Sequence, residues 1–285
     1  MKKISASNGS FYILLAALLF SSGGLLIKLI PWNPVAINGA RNIFAVVVTY
    51  FYIKKLGHKI VVNVPVILCA CAVAATCIMY SIAAKLTTAA NAIVLQYTSP
   101  IFIILFMWIF FKQKPHRLDL ITCFVVSCGI VCFFLESLSP SGTVGNLLAL
   151  LSGVTYACVF MANMFKGSDS LSIYLFSQII GAVVGLPFLM IQTNITAASL
   201  GAVAFMGLIQ VGLAYMFMSK GLATTPPVTA SILCMLEPIL NPMWVAVFYG
   251  EKMTALPLLG CFIVLISVAV YNVLTQLRVK KSNVP

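Results

Sequence analysis

Charge is scarce in this chain: charged residues make up 8% of its 285 positions, and only five of them are acidic. A soluble globular protein is thereby excluded, because a water-facing exterior needs charged and polar cover that a 62% hydrophobic sequence does not supply. Histidine is scarcer still. His58 and His116 are the two present, and both fall between apolar runs. With no H-E-x-x-H and no G-x-S-x-G, the residue sets of metallo- and serine hydrolases are missing, and a membrane-embedded enzyme is the least favoured class. None of the nine cysteines forms a C-x-x-C pair, so they read as small apolar fillers, and no cofactor or metal is expected.

What the chain has is long apolar runs from end to end, with a mean hydropathy of +1.10. A helix needs about 20 mostly apolar residues to cross the hydrocarbon core. That criterion places spans near 11–30, 35–53, 64–84, 91–111, 118–136, 144–165, 171–191, 199–219, 228–249 and 256–276. The first run is too long for a signal-peptide core and is read as the first membrane helix. The net charge of +12 does not indicate nucleic acid, because the lysines sit between apolar runs instead of on one face. With the N-terminus cytoplasmic, thirteen basic residues fall on the inside: Lys2, Lys3, Lys54, Lys55, Lys59, Lys112, Lys114, Arg117, Lys166, Lys220, Arg278, Lys280 and Lys281. Lys28, Lys85 and Lys252 fall outside, and Arg41 lies within a span. The positive-inside rule therefore puts both termini in the cytoplasm, with the plasma membrane as the expected location.

The chain also repeats itself. Residues 87–114 align with 224–252 after a one-residue gap, setting Ala92 on Ala230, Leu95 on Leu233, Pro100 on Pro238, Phe110 on Phe248 and Lys114 on Lys252. At a spacing two residues shorter, Ala17 falls on Gly153, Phe20 on Tyr156 and Ile37 on Ile173. Ten spans in two repeats make five each. Because five is odd, the second repeat enters the membrane from the opposite side. The expected fold is an all-α integral membrane protein, a 5+5 inverted repeat of ten transmembrane helices, with repeats over 1–140 and 141–285. Such symmetry is a recurring mark of secondary transporters, whose alternating access moves one half against the other.

These features resemble the EamA branch of the drug/metabolite transporter superfamily. The residues carrying the resemblance are AIVLQYTSPIF in the fourth span and ASILCMLEPILNPMWVAVFYGEKMT in the ninth, above all Leu236–Pro238 followed by Gly250–Glu251. The first half departs from the pattern, with Thr98–Ser99–Pro100 in place of the acidic LEP and Gln113 where the second half has Glu251. The resemblance implies transport of small metabolites or amino acids, often outward, through a cavity between the repeats; it leaves the cargo open.

Polar groups inside the spans mark the candidate site. Insertion scales put an arginine or aspartate near a helix centre at about 2.5–3.5 kcal/mol, so a charge there must face a wet cavity, find a partner or be neutral. Glu237 lies about ten residues into the ninth span, and Arg41 several residues into the second. Asn38, Arg41, Asn42 and Thr49 share one helix face, which is either a pathway or a set of caps on neighbouring carbonyls. Pro100, below Gln96 and Tyr97, and Pro238 interrupt matched helices as candidate hinges and point to a midplane site. Glu237 itself has either a substrate or proton role or a purely structural one. Tyr80, Tyr156, Asn163, Gln210 and Tyr215 are further lining candidates, whose hydroxyls and amides suit a zwitterionic or amide-bearing ligand. Gly181 and Gly185 form a G-x-x-x-G, read as close helix packing with dimerisation as the alternative.

The expected function is secondary transport of a small polar metabolite, an amino acid or related compound, by export. The expected partners are that substrate, the lipid bilayer and protons as coupling ion, with the chain acting as monomer or homodimer. A passive facilitator or channel is the alternative, although no ring of charges or filter loop is visible.

Overall fold

The computed structural model describes residues 6–23, 26, 30–87, 89–138, 140, 142–249 and 254–282, and these are helices joined by short turns. Helix α1 spans Ala6–Ser21, α2 Pro34–Lys55, α3 Val64–Leu86, α4 Ala89–Gln96, α5 Ser99–Phe111, α6 Arg117–Phe134 and α7 Thr143–Phe160. Helix α8 covers Ser170–Met190, α9 Ala197–Phe205 and α10 Ala214–Leu222, with π-helical turns over Met206–Leu213 between the last two. Helix α11 covers Pro227–Cys234, α12 Glu237–Tyr249 and α13 Ala255–Ser282. Eight stretches are long and apolar enough to cross a bilayer, and Gly9–Ser21 and Pro227–Asn241 are shorter apolar helices. Gly250, Glu251, Lys2, Lys3, Lys28 and Lys252 lie outside the described residues.

Side chains set where the helices begin. Asn33 caps α2 by accepting from the Val35 N–H, Asn63 caps α3 from Val66, and Asp169 caps α8 from Ser172. Thr196 and Ser199 form a reciprocal capping box on α9. Each cap satisfies N–H groups that a helix start leaves without a partner. One expected boundary is wrong: the span read over 144–165 ends at Phe160. Residues 161–169 turn through Gly167, whose φ is +77°, into the Asp169 cap, so the polar Asn163–Asp169 stretch leaves the helix.

The repeat is visible in the elements themselves. Helices α4 and α5 are 8 and 13 residues long, as are α11 and α12, and each pair is separated by two residues. Helix packing repeats too. Helix α3 packs on α7 as the π-helical turns and α10 pack on α1, and α4 packs on α7 as α11 packs on α1. Two further pairs, α2 with α8 and α6 with α13, map onto themselves when the halves are exchanged.

Both self-mapping pairs cross at glycines. A Cβ on Gly39 would stand 2.6 Å from Gly185 Cα, and one on Gly260 would stand 2.6 Å from the Gly129 carbonyl oxygen. Lipid gives little drive to bring helices together, so such close backbone approach supplies the dispersion contact that holds them. Gly181 and Gly185 are thus buried against α2, which uses up the G-x-x-x-G inside one chain and removes it as a dimerisation face.

The two ends of the bundle are tied differently. At one end His58 pairs with Asp169 at 3.0 Å, Asn63 donates to the Gly167 carbonyl, and Lys220 stands 5.5 Å from the Tyr12 and Tyr52 rings. At the other, the Trp32 indole donates to the Asn194 carbonyl and the Thr254 hydroxyl to Glu136. The first end also carries Lys54, Lys55, Lys59, Lys112, Lys114, Arg117 and Lys166, the side assigned to the cytoplasm by charge.

Replacing Gly185 by alanine will lower the thermal unfolding midpoint in detergent, by an amount reflecting the roughly 1–3 kcal/mol typical of overpacking. Gly201→Ala, where a Cβ meets nothing within 4 Å, will not lower the midpoint.

Candidate functional site

The site grows from two interrupted helices. Helix α4 ends at Gln96, Tyr97 and Thr98 turn, and α5 restarts at Ser99–Pro100; α11 ends at Cys234, Met235 and Leu236 turn, and α12 restarts at Glu237–Pro238. Pro100 and Pro238 thus stand just past the two breaks. Each occupies the first turn of a new helix, where its missing N–H costs nothing. Around the first break, the Thr98 hydroxyl donates to the Leu95 carbonyl at 2.6 Å. Gly153 on α7 leaves room for the Gln96 and Leu95 carbonyl oxygens, which a Cβ there would approach to 2.9 and 3.0 Å.

Glu237 sits in the first turn of α12. Unpaired N–H groups and the positive end of the helix dipole favour negative charge at that place. Its carboxylate accepts from the Tyr156 hydroxyl at 3.5 Å, and the Tyr97 hydroxyl also reaches it. The Tyr97 and Tyr156 rings meet edge-on at 5.9 Å, and Tyr156 meets Phe160 at 5.1 Å. One tyrosine comes from the break of α4–α5 and the other from α7, so two elements besides its own helix hold the carboxylate.

Arg41 faces it from α2. Its Nε and Nη2 both donate to Asn38 Oδ1, at 3.2 and 2.8 Å, and the Asn42 amide donates to the Asn38 carbonyl at 2.8 Å. Asn38 is buried and Arg41 is only half-buried, which makes Asn38 a positioning residue for the guanidinium. The polar stripe on α2 thus divides. Arg41 serves the cavity, while Asn38, Asn42 and Thr49 are buried, Asn42 against Gly181 of α8. The Thr49 hydroxyl has no partner there.

Cys77 and Tyr80 on α3 and Tyr215 on α10 each lie in the field of both Arg41 and Glu237. Tyr215 packs edge-on against Phe20 at 5.1 Å and against Tyr174 at 4.5 Å. Arg41, Cys77, Tyr80, Tyr156, Tyr215 and Glu237 all keep part of their surface accessible inside the bundle, so they line an internal space instead of packing solidly. Arg41 and Glu237 do not pair directly; His58–Asp169 is the one ion pair within 4 Å among the described residues.

The other candidates lie at the margin. The Gln210 amide donates to the Phe20 carbonyl at 3.1 Å, tying the π-helical turns to α1, and its own carbonyl oxygen has no partner. Gln96 is half-buried at the end of α4. Asn163 is exposed and accepts from the Ser170 N–H, so it belongs to the turn before α8 and not to the site. Sequence reasoning missed Cys77, which lies one turn before Tyr80; that spacing was the available signal. It also missed the π-helical turns beside Arg41, where Gly207 passes the Arg41 carbonyl, and the Trp244 indole that donates to Ser21 at 2.9 Å.

Comparison with known proteins agrees with this architecture. The model of the EamA-like transporter family matches residues 7–135 and 143–273, one match for each repeat. A crystal structure described only as that of a protein aligns with a TM-score of 0.83 at 18% identity, covering 95% of this chain and 99% of the other, a likeness of fold alone. No curated protein matches the chain.

Glu237→Gln keeps the shape and polarity that Tyr156 and Tyr97 meet and will leave thermal stability nearly unchanged, whereas Glu237→Leu will lower it by leaving those hydroxyls without an acceptor. Unfolding midpoints of the two variants, measured side by side, test this.

Proposed function

The chain belongs to the EamA-like transporter family, and on that footing we propose that it moves a small polar metabolite, an amino acid or related compound, outward across the plasma membrane by alternating access. One observation carries the reading. A half-buried cation and a half-buried carboxylate, one from each repeat, face the same internal space beside the matched helix breaks. Charges held this deep in an apolar bundle mark a substrate or ion pathway. Discontinuous helices at corresponding places in two repeats mark a binding site near the midplane.

In this mechanism ten spans form two inverted five-helix repeats meeting near residue 140, with both termini cytoplasmic. Exchanging the conformations of the halves opens the space first to one side and then to the other. Arg41, Tyr80, Gln96, Tyr97, Tyr156, Gln210, Tyr215 and Glu237 form the substrate-binding surface, and Asn38 supports it by holding Arg41. Pro100 and Pro238 fix the half-helix starts about which the breaks flex. Glu237 also carries the coupling proton, taking it up in one state and releasing it in the other.

Purified protein in liposomes will show saturable, competable counterflow of a small polar metabolite, and Glu237→Gln will remove its dependence on pH. Flux that neither saturates nor shows counterflow would mean a channel instead. Sidedness is tested by single cysteines in a background freed of accessible native ones. Membrane-impermeant reagent added to intact cells will label positions 142 and 194 and spare position 57.

A further inference from the structure

The chain's two deep charges are arranged as no internal ion pair would be. Arg41 is fixed by a buried amide of its own helix, with both Nε and Nη2 on Asn38 Oδ1, which leaves Nη1 free of that contact. Glu237 is fixed by tyrosine hydroxyls and a helix N-terminus. Each charge therefore has neutral supports, and the two do not touch. Cys77, Tyr80 and Tyr215 lie near enough to both charges to interact with each, and they stay partly accessible. Aromatic rings and hydroxyls surround the carboxylate, with Tyr97 and Tyr156 edge-on to each other beside it.

We infer that this is a two-pole site for a zwitterion, with Arg41 receiving a carboxylate and Glu237 an ammonium group of the same small molecule. A guanidinium is built to take a carboxylate by paired N–H donors. A carboxylate edged by tyrosine rings takes an ammonium both by charge and by the negative faces of the rings. The poles belong to different repeats, Arg41 to the first and Glu237 to the second. A zwitterion bridges the halves, whereas a simple amine or a simple acid engages one half and leaves the opposite pole uncompensated. The same geometry therefore selects the cargo and couples its binding to the relative position of the repeats. Asn38 acts through Arg41 by holding the guanidinium in place.

This inference rests on the transport reading but is tested separately, by binding to purified wild-type protein in detergent. The probes are the twenty common amino acids, together with the decarboxylated amine and the deaminated acid matching each, read by shifts of the thermal unfolding midpoint and titrated for apparent Kd. The expected result is stabilisation by one or more amino acids, with the matched amine and acid at least about tenfold weaker, since each lacks one charged contact. Arg41→Gln will bring the matched amine level with the amino acid, and Glu237→Gln will do so for the matched acid. Asn38→Ala will weaken the carboxylate-bearing ligands alone, and Arg41→Lys, which keeps the charge, will preserve the wild-type ordering. Stabilisation by amines or acids as strong as by their parent amino acids, no stabilisation by any amino acid, or variants that weaken all three ligand types equally would overturn the two-pole site. Saturable counterflow of some other solute would leave the transport reading standing.

Discussion

The structure depends on satisfying two interruptions of the backbone inside an apolar bundle. Hydrocarbon offers no hydrogen bonds, so non-helical backbone is tolerated at membrane depth only where protein buries it or a wet cavity adjoins it. Both breaks meet that condition through their neighbours. Thr98 turns its hydroxyl onto Leu95, Gly153 makes room for the carbonyls of the first break, and Glu237 places its carboxylate at the open start of α12. Tyr97 and Tyr156 then satisfy the carboxylate, joining the two breaks through one pair of rings. The polar site and the helix breaks are thus one feature seen from two directions.

Symmetry supplies the scaffold, and departures from symmetry supply the chemistry. The half-helices have the same lengths in both repeats, and the helix pairs exchange into one another. Yet Ser99 stands in the first repeat where Glu237 stands in the second. Asn33 occupies the cap matched by Asp169, and Asn194 matches His58. One end of the bundle therefore closes through an ionisable pair, the other through neutral hydrogen bonds of Trp32 and Asn33. The close backbone contact of Gly39 with Gly185 lies nearer the Trp32 end, in the first turns of α2 and the last turns of α8.

Much of this was legible in the sequence, for identifiable reasons. The duplication shows because the matched segments place prolines and lysines at a constant spacing, and apolar length locates the spans. Glu237 and Arg41 stand out because charge inside an apolar run is costly. What stayed hidden depends on rotation about helix axes. The stripe of Asn38, Arg41, Asn42 and Thr49 lies on one side of α2, but only packing against α8 decides that Asn42 and Thr49 are buried while Arg41 meets the cavity. The π-helical turns over Met206–Leu213 leave no distinct pattern, since an extra residue per turn preserves composition. Asn163 looked like a lining residue because apolar runs do not reveal where a polar turn takes the chain out of its helix.

Under the proposed alternating access, the two halves exchange roles about a shared site. The most direct measurement is a pair of spin-label distances in lipid, one between positions 86 and 144 at the end carrying Trp32 and one between positions 11 and 223 at the lysine-rich end. Alternating access requires two populations in each distance, with the long form of one accompanying the short form of the other as pH or added amino acid shifts the balance. Two distances that lengthen together, or a single fixed distance at both ends under every condition, would contradict it.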